Sequence, residues 1–402
     1  MRLLGMDKLA INPAILAWAR TTAGLSLEDA AHSIGLKDAY GLTGAERLAA
    51  LESGAEQLTR PLLLKNAKAY RRPLLVFYLP APPRTGDRGQ DFRTAPGAAP
   101  PQYDPDLDAM LRDIRARQSM VKSLQEDLEV EPLPFIGSAT MATPVPELAA
   151  RVSQQMKFDL TEFRAQKTMD QAFAYLRNKM EDAGVFVLLL GNLGSHHSKI
   201  PADRFRGFVI ADPLAPFVVI NDQDARAAWG FTALHELVHL WLGTTGVSGA
   251  SDGAKIEWFC NEVAGEILLP AVEMAALRTL AGGNLETAVD AVSDFAQARH
   301  VSRSMVAYRA FRTGVISEKA WSRLDQHFRQ AWIESQQTGV KKKADGGPSY
   351  YVVRRHKLGS SLLDLVSHSL RDGSLTYTKA GQILGVKPRN VEPLIRDLVK
   401  AI

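Results

Sequence analysis

One short segment limits what this chain can fold into more than any other: "GFTALHELVHLWLG", residues 230–243. Between its two glycines nearly every residue is apolar, which predicts a helix that is buried on almost all sides. His235 and His239 are four residues apart and therefore project from one face of that helix, about one turn apart. Burying two imidazoles and the Glu236 carboxylate without partners is costly, so the segment favours a bound metal ion.

The spacing predicts a particular chemistry. Two imidazoles placed in this way can bind one zinc ion at about 2.0–2.1 Å. Glu236 is one position after His235, so we expect it beside the metal but turned away from direct coordination. A carboxylate there can take a proton from an attacking water as general base and pass it to a leaving amine. The alternative is a core helix whose histidines are satisfied by backbone carbonyls, and the segment alone leaves it open.

A second segment supplies the third ligand that a catalytic zinc requires. The helix predicted for "KIEWFCNEVAGEILLP" carries Glu257, and the glycine-rich loop before it could let this helix fold back against the first. Asn261 lies one turn later on the same face and is predicted to hydrogen-bond a ligating imidazole or carboxylate. Glu262 is the rival ligand, but it points about 100° away from Asn261, which favours a surface or capping carboxylate.

Taken together, "FTALHELVHLWLG" and "IEWFCNEVAGEILLP" resemble the ImmA/IrrE family of zinc metallopeptidases. The family pattern joins H-E-x-x-H to E-x-x-x-N and an apolar run that ends in proline. "IADPLAPFVVIND" and "HVSRSMVAYRAFRTGVIS" also resemble family segments, so the resemblance covers about residues 150–320. One departure is Cys260, where alanine is frequent; we expect a small buried residue rather than a fourth ligand.

The resemblance implies a zincin-like (gluzincin) core with His235, His239 and Glu257 as zinc ligands. It implies Glu236 as the catalytic acid and base. Manganese is an alternative to zinc, since two histidines and a glutamate tolerate both metals. Family members are intracellular proteases that cleave helix-turn-helix repressors and so release stress, DNA-damage or mobile-element genes. The same role is expected here, with a transcriptional repressor as the protein partner.

Other polar residues are weaker predictions. Arg309, His300 and Tyr308 are candidates for stabilising an oxyanion, although each residue type is more often found in packing or at the surface. The tandem His196 and His197 are predicted to lie in the loop "LGSHHSK", where they could contact substrate or an adventitious metal.

The whole chain is predicted to be α+β and mostly helical. "VFVLLL", "FRGFVIAD" and "APFVVIND" predict a small antiparallel sheet, and "PFVVIN" or "RGFVIA" could be an edge that pairs with an extended substrate. The predicted organisation is a helix-turn-helix-like bundle at 1–80, a Pro/Gly-rich linker at 81–105, a zincin-like peptidase domain at 106–336, a basic loop at 337–350 and a small helical unit at 351–402.

The first 80 residues resemble an Xre-type helix-turn-helix domain. Arg20, Gly24 and the closing Glu52 fall in the expected order within "WARTTAGLSLEDAAHSIGL" and "RLAALESG". The region that corresponds to the recognition helix has only Lys37 and Arg47 as basic residues. Because base and phosphate contacts need polar and basic side chains at that place, a protein-docking or vestigial role is favoured over DNA reading.

The last 50 residues also show helix-turn-helix spacing, in "LTYTKAGQILGVKPRNVEPLIRDL". Lys387, Arg389 and Asn390 would lie at the start of the second helix, where phosphate and base contacts are made. The alternative is a three-helix unit that only closes the peptidase domain. If DNA binding is the main activity, the protein is a transcription regulator or antitoxin-like protein with a structural or sensory zinc site.

Composition excludes several other classes. Cys260 is the single cysteine, which excludes an internal disulfide framework and a cysteine-rich zinc ribbon and fits a reducing cytoplasm. Asp7, Lys8 and Pro13 interrupt the N-terminus before a signal-peptide core can form. No run approaches the roughly 18 apolar residues of a membrane span, so we expect a cytoplasmic protein with no membrane partner. A net charge of +4 over 402 residues permits nucleic-acid contact without requiring it.

Overall fold

The structure is a computed structural model that describes residues 11–83, 104–194, 198–244, 253–282, 284–339 and 349–396. The chain divides into two compact units. The first comprises residues 1–88, 99–113 and 193–198, and the second comprises 89–98, 114–192 and 199–402. The helix α5 (Pro105–Asp127) contains the boundary at residue 113.

The first unit is a small helical bundle. Its helices are α1 (Pro13–Thr21), α2 (Leu27–Ile34), α3 (Gly44–Ser53) and α4 (Arg60–Ala69), followed by a 3-10 helix over Leu74–Tyr78. The Ser26 side chain accepts a hydrogen bond from Asp29 N and so begins α2, as Ser/Thr/Asp/Asn caps do. A capping box between Thr43 and Glu46 begins α3. These helices enclose a core of their own that includes Ile15.

The connection between α2 and α3 departs from a helix-turn-helix motif. It spans residues 35–43, whereas the motif joins its two helices by a turn of about three or four residues. The extra residues form a β-bridge between Ala39 and Leu42, with Tyr40 97% exposed at its tip. The resemblance of this unit to an Xre domain therefore stays a prediction, and the longer connection adds to the shortage of basic residues as a reason to doubt direct DNA reading.

The second unit is mostly helical with one small sheet, which agrees with the predicted α+β class. Its helices after α5 are α6 (Val145–Gln155), α7 (Leu160–Arg164), α8 (Met169–Asp182), α9 (Arg226–Leu242), α10 (Gly253–Leu268), α11 (Leu285–Gln297), α12 (Arg303–Arg312), α13 (Glu318–Gly339), α14 (Tyr350–Leu358), α15 (Ser360–Arg371), α16 (Tyr377–Leu384) and α17 (Val391–Ile395), with 3-10 helices at Ala271–Gly282 and Pro388–Asn390. Within the described ranges, no helix is both long enough and apolar enough to cross a bilayer.

The sheet is mixed, so the prediction of an antiparallel sheet was wrong for one of its two pairings. The strands β1 (Phe186–Leu189), β2 (Gly207–Ile210) and β3 (Phe217–Ile220) are ordered β1-β3-β2. β2 pairs antiparallel with β3, but β1 pairs parallel with β3. The reason is topological: successive strands alternate in direction, and β3 inserts between the two earlier strands instead of following them in a meander. β3 is therefore central, which removes "PFVVIN" as an edge and leaves β2 at an edge of the described sheet.

The connection from β1 to β2 is attached to the sheet by one buried amide. Asn221, directly after β3, is fully buried. Its Nδ2 donates to the carbonyl oxygens of Ile200 and Phe205 at 3.0 and 2.9 Å. Its Oδ1 accepts a hydrogen bond from Gln223 N at 2.9 Å. One side chain thus satisfies backbone groups that would otherwise be buried without partners.

The helix α9 lies at the centre of the larger core and contacts α8, α10, β2 and β3. Its C-terminal carbonyls are satisfied by the preceding segment: Gly137 N donates to Leu240 O and Ala139 N donates to Trp241 O, both at 2.9 Å. The Phe135 ring stacks on the Trp241 ring with centroids 4.3 Å apart. Because the last carbonyls of a helix have no partner within it, these contacts let α9 end inside the protein.

An ion-pair cluster links three elements of the same unit. Glu273 accepts from Arg164 at 2.9 Å and from Arg299 at 2.8 Å. Burial raises the pKa of Glu273, but the hydrogen bonds from Arg299 and Arg164 outweigh that effect and leave the pKa below its ordinary value. The charged form of this carboxylate is therefore the one that stabilises the folded protein.

Candidate metal centre

The helix α9 presents three polar side chains from a buried segment. His235, Glu236 and His239 are each at most 2% exposed. The helix ends at Leu242, and the next residue, Gly243, has a φ of 65°, the left-handed conformation that commonly follows a helix. The predicted helix is therefore present, and it carries the histidine pair into the core.

The helix α10 brings a carboxylate to the two imidazoles. Glu257 Oε2 lies 3.1 Å from His235 Nε2, and Glu257 Oε1 lies 3.2 Å from His239 Nε2. The two Nε2 atoms are themselves 3.2 Å apart. In a tetrahedral zinc site with bonds of about 2.0 Å, neighbouring ligand atoms lie about 3.3 Å apart. Each of the three distances is close to that spacing, although the two imidazoles face different oxygens of Glu257, and the three side chains form a group that could hold a metal ion.

The group is partly exposed on its Glu257 side. The two histidine side chains are at most 1% exposed, whereas the Glu257 side chain is 27% exposed. A catalytic zinc keeps its fourth position for water or substrate, while structural sites are closed by four protein ligands. Three protein ligands with an exposed side fit the catalytic pattern.

Thr244 is a functional candidate that the sequence reasoning missed. Its Oγ1 lies 3.1 Å from His239 Nδ1 and donates to the His239 carbonyl oxygen at 3.3 Å. A hydroxyl that donates to that carbonyl can accept from Nδ1–H. The corresponding tautomer of His239 has its lone pair on Nε2, the nitrogen that faces Glu257. The sequence feature that could have indicated Thr244 is its position: a hydroxyl residue directly after Gly243, which follows the histidine helix.

Glu236 lies against the first residue of β2. A Cβ atom built on Gly207 would be 2.8 Å from Glu236 Oε1 and 2.9 Å from Glu236 Cγ. The carboxylate therefore lies beside the backbone of the edge strand, in the space that a side chain at Gly207 would occupy. Sequence reasoning identified the strand but not this contact.

Asn261 lies on α10, one turn after Glu257. It is half-buried on α10, and its buried Oδ1 has no hydrogen-bond partner among the described residues. A supporting role of Asn261 toward a ligand stays a prediction. Cys260 is fully buried in the core, as expected, and the group of possible ligand atoms consists of His235, His239 and Glu257.

Glu262 forms an ion pair with Arg309 and is not one of the three candidate ligands. Arg309 is 5% exposed; its Nη1 donates to Glu262 Oε2 at 3.0 Å, its Nε donates to Leu269 O at 3.1 Å, and its Nη2 pairs with Glu266. Arg312 also reaches Glu262, at 3.1 Å. Glu262 is therefore neither a ligand nor a simple surface carboxylate, and Arg309 connects α10 to α12.

The other oxyanion candidates also have packing contacts. His300 Nε2 lies 2.7 Å from Gln166 O, and the Tyr308 ring packs edge-on against Trp321 at 5.9 Å. His196 and His197 lie outside the described residues.

The three residues proposed for nucleic acid lie in the turn between α16 and α17. Lys387 and Arg389 are exposed, and Asn390 is half-buried.

A cavity of about 520 Å³ lies elsewhere in the second unit, at the N-terminal end of α9. Its lining includes Asp222, Trp229, Val352 and His356. Neither the histidine pair nor Glu257 lines it, so the arrangement of side chains and not the size of a cavity identifies the metal centre.

Comparison with known proteins supports the resemblance over part of the chain. Residues 192–311 match the model of the Peptidase_M78 family, described as an IrrE N-terminal-like domain. The match covers less than a third of the chain and includes both α9 and α10. No curated protein and no solved structure matches this chain. The match supports a peptidase-like domain of the ImmA/IrrE type around the candidate metal centre.

Proposed function

We propose that this protein is a zinc-dependent endopeptidase. The observation that carries the proposal is the convergence of His235, His239 and Glu257: the two Nε2 atoms are 3.2 Å apart, and each lies 3.1–3.2 Å from one of the two Glu257 oxygens. Zinc is the preferred metal because imidazole nitrogen and carboxylate oxygen at this spacing suit a tetrahedral ion. Manganese is the alternative, as it accepts the same donors.

When bound, the metal would act as a Lewis acid on the scissile carbonyl and lower the pKa of a water. Glu236 is the general base that takes the proton from the attacking water. It then acts as general acid and gives that proton to the leaving amine. Its burial beside β2 suits this role, because a carboxylate that is screened from bulk water interacts more strongly with the groups it faces.

The edge strand β2 is the proposed docking site for the substrate backbone. An extended peptide can add to a sheet edge through main-chain hydrogen bonds. β2 is an edge strand of the described sheet, and its first residue, Gly207, lies against Glu236. A peptide paired with β2 would therefore pass close to the proposed general base.

The proposed substrate is a transcriptional regulator, most simply a helix-turn-helix repressor that controls stress or mobile-element genes. The family resemblance supports this substrate class, and a repressor substrate would locate the protein in the cytoplasm. In this proposal residues 106–336 are the peptidase domain. The helical segments at 1–80 and 351–402 would select or position the regulator. Residues 81–105 and 337–350 would connect these segments to the peptidase domain.

The decisive test is Glu236→Gln, which keeps the size of the side chain but removes the base. We expect the variant to retain one metal ion per molecule and to lose cleavage by a factor of about 10²–10⁴. The substrate is identified by trapping partners on Glu236→Gln and is then confirmed by cleavage with the parent protein. Cleavage at the parent rate by Glu236→Gln would exclude the mechanism.

The metal ligands have a matched control on α10. Glu257→Gln should weaken zinc binding, measured by competition with a chromophoric chelator. Glu262→Gln changes a carboxylate five residues away that pairs with arginines, and it should leave zinc affinity unchanged. Equal losses for the two variants would show that Glu257 is not a ligand.

A second candidate function, a DNA-binding regulator, is supported by the exposure of Lys387 and Arg389 at the turn before α17. The test is fluorescence anisotropy with a DNA duplex at several salt concentrations. Replacing both residues by alanine should weaken binding and reduce the slope against log salt by about two. Binding that is undetectable in the parent, or unchanged in the double variant, removes this candidate.

A further inference from the structure

Gly207 is the single residue of the three strands that has no apolar side chain. The strands otherwise consist of Phe, Val, Leu and Ile, and all twelve strand residues are buried. Glycine weakens a strand interior and often marks a place where another group approaches the backbone closely. No positive φ accounts for glycine at this position. The side chains that pack against Gly207 therefore explain the glycine.

The groups against Gly207 come from the helix that carries the proposed general base. A Cβ atom at this position would be 2.8 Å from Glu236 Oε1, 2.9 Å from Glu236 Cγ and 2.8 Å from Thr232 Cγ2. Ordinary carbon contacts have their minimum at about 3.5–4.0 Å. Thr232 and Glu236 are four residues apart, so they share one face of α9, and that face lies on the strand.

Neither the strand nor the helix can easily withdraw. Gly207 is paired in register with Ile220 of the central strand β3, and Ile220 is fully buried. On the other side of α9, Leu234 and Val238 are fully buried in the core. Protein interiors are close-packed, so movement of a whole element is more costly than rotation of one side chain. A methyl group at Gly207 would therefore displace the Glu236 side chain first.

We infer that Gly207 is a positioning residue for the general base. By having no side chain it lets β2 lie against Glu236, and the strand then holds the carboxylate on the side of α9 that faces the reacting groups. This inference rests on the proposed function and adds a residue outside the ligand set to it. In this role Gly207 acts through Glu236, separately from any backbone hydrogen bonds that β2 makes with a peptide.

The test uses a probe of the carboxylate that needs no substrate. The protein is loaded with Co²⁺, whose visible absorption reports binding, and is titrated with acetohydroxamate. This compound chelates a divalent metal through its two oxygens and shares its acidic proton with a neighbouring carboxylate. Gly207→Ala should bind it at least about tenfold more weakly, the loss expected for one hydrogen bond to an ionised group. Glu236→Gln should show a similar loss.

The matched control is Gly230→Ala, an identical substitution within α9. A Cβ at Gly230 would meet only Leu176 Cδ2, at 3.8 Å, which is an ordinary contact. Its acetohydroxamate affinity should equal that of the parent. Gly207→Ala should also bind Co²⁺ as the parent does, since neither histidine contacts the added methyl in the expected rearrangement. Equal acetohydroxamate affinity for Gly207→Ala and the parent would overturn the inference.

A double-mutant cycle separates positioning from damage to the fold. If Gly207 acts through Glu236, adding Gly207→Ala to Glu236→Gln causes no further loss of acetohydroxamate affinity. Glu236→Ala removes two of the three nearest atoms that the methyl would meet and leaves Thr232 Cγ2, so Glu236→Ala should recover part of any Tm lost by Gly207→Ala. Additive losses in affinity, with no such recovery, would overturn the inference. Failure of the proposed function is distinct: the parent would not bind Co²⁺ through His235, His239 and Glu257.

Discussion

Replacing Arg309 should destabilise the second unit strongly, although nothing in the sequence marks this arginine as structural. The side chain is 7% exposed and donates to two carboxylates of α10 and to the carbonyl of Leu269. Arg309→Met preserves length and packing but leaves Glu262 and Glu266, 13% and 21% exposed, without their main partner. Breaking a buried pair by removing one partner costs about 3–5 kcal/mol.

The control lies one turn away on the same helix. Arg312 also donates to Glu262, at 3.1 Å, but its side chain is 35% exposed. Solvent screens such a pair, so Arg312→Met should cost about 0–1 kcal/mol, with a small further loss from the contact with the Trp258 ring. The two variants therefore differ mainly in the burial of the charge that is removed.

Both variants are compared by urea unfolding followed by far-UV circular dichroism. We expect Arg309→Met to lower the unfolding midpoint clearly and Arg312→Met to leave it nearly unchanged. Arg309→Met with Glu262→Gln and Glu266→Gln should recover part of the loss, because no uncompensated carboxylate remains. Equal midpoints for the two single variants would refute the reasoning. The reasoning would also be refuted if the Arg309→Met protein had parental stability but no longer cleaved its substrate, because Arg309 would then act as an oxyanion-stabilising residue.

Three further predictions follow from single side chains. Thr244→Val removes the acceptor for His239 Nδ1 and should weaken zinc binding by about tenfold or more in chelator competition, whereas Thr244→Ser should bind as the parent does. The lowered pKa of Glu273 means that its stabilisation is complete above its ordinary pKa of 4.5 and is lost as the pH falls through the lower folded value. The Tm of the parent should therefore fall more steeply below that pH than the Tm of Glu273→Gln. Asn221→Leu loses the three hydrogen bonds of a buried side chain and should lower the free energy of unfolding by about 3 kcal/mol in urea titrations; a change below about 1 kcal/mol would contradict the assignment.

Much of the candidate site could be predicted from local sequence. The apolar surroundings of His235 and His239 indicated a buried helix, and their spacing placed both imidazoles on one face. Glu257 was expected to open a second helix after a glycine-rich loop, and the structure brings it to the two histidines. These features depend on helical periodicity and on the cost of burying polar groups, which short segments already reveal.

Other features depended on which segments meet. The strand runs were visible in the sequence, but their order was not, so the parallel pairing of β1 with β3 was missed. Arg309 and Glu262 are far apart in the sequence. Their ion pair shows that Arg309, an oxyanion candidate, and Glu262, a rival ligand, bind each other. The inserted bridge at Ala39 and Leu42 likewise could not be inferred from helix signals alone.

The sequence by itself determined that this chain contains a buried helix with two imidazoles and a carboxylate suited to one divalent ion, because helical spacing and burial costs are local properties. Only the tertiary structure decided which strand forms the edge beside Glu236, that Gly207 leaves room for that carboxylate, and that Arg309 joins α10 to α12. Those outcomes depend on close packing between distant segments, where a single methyl group or charge determines what can lie in contact.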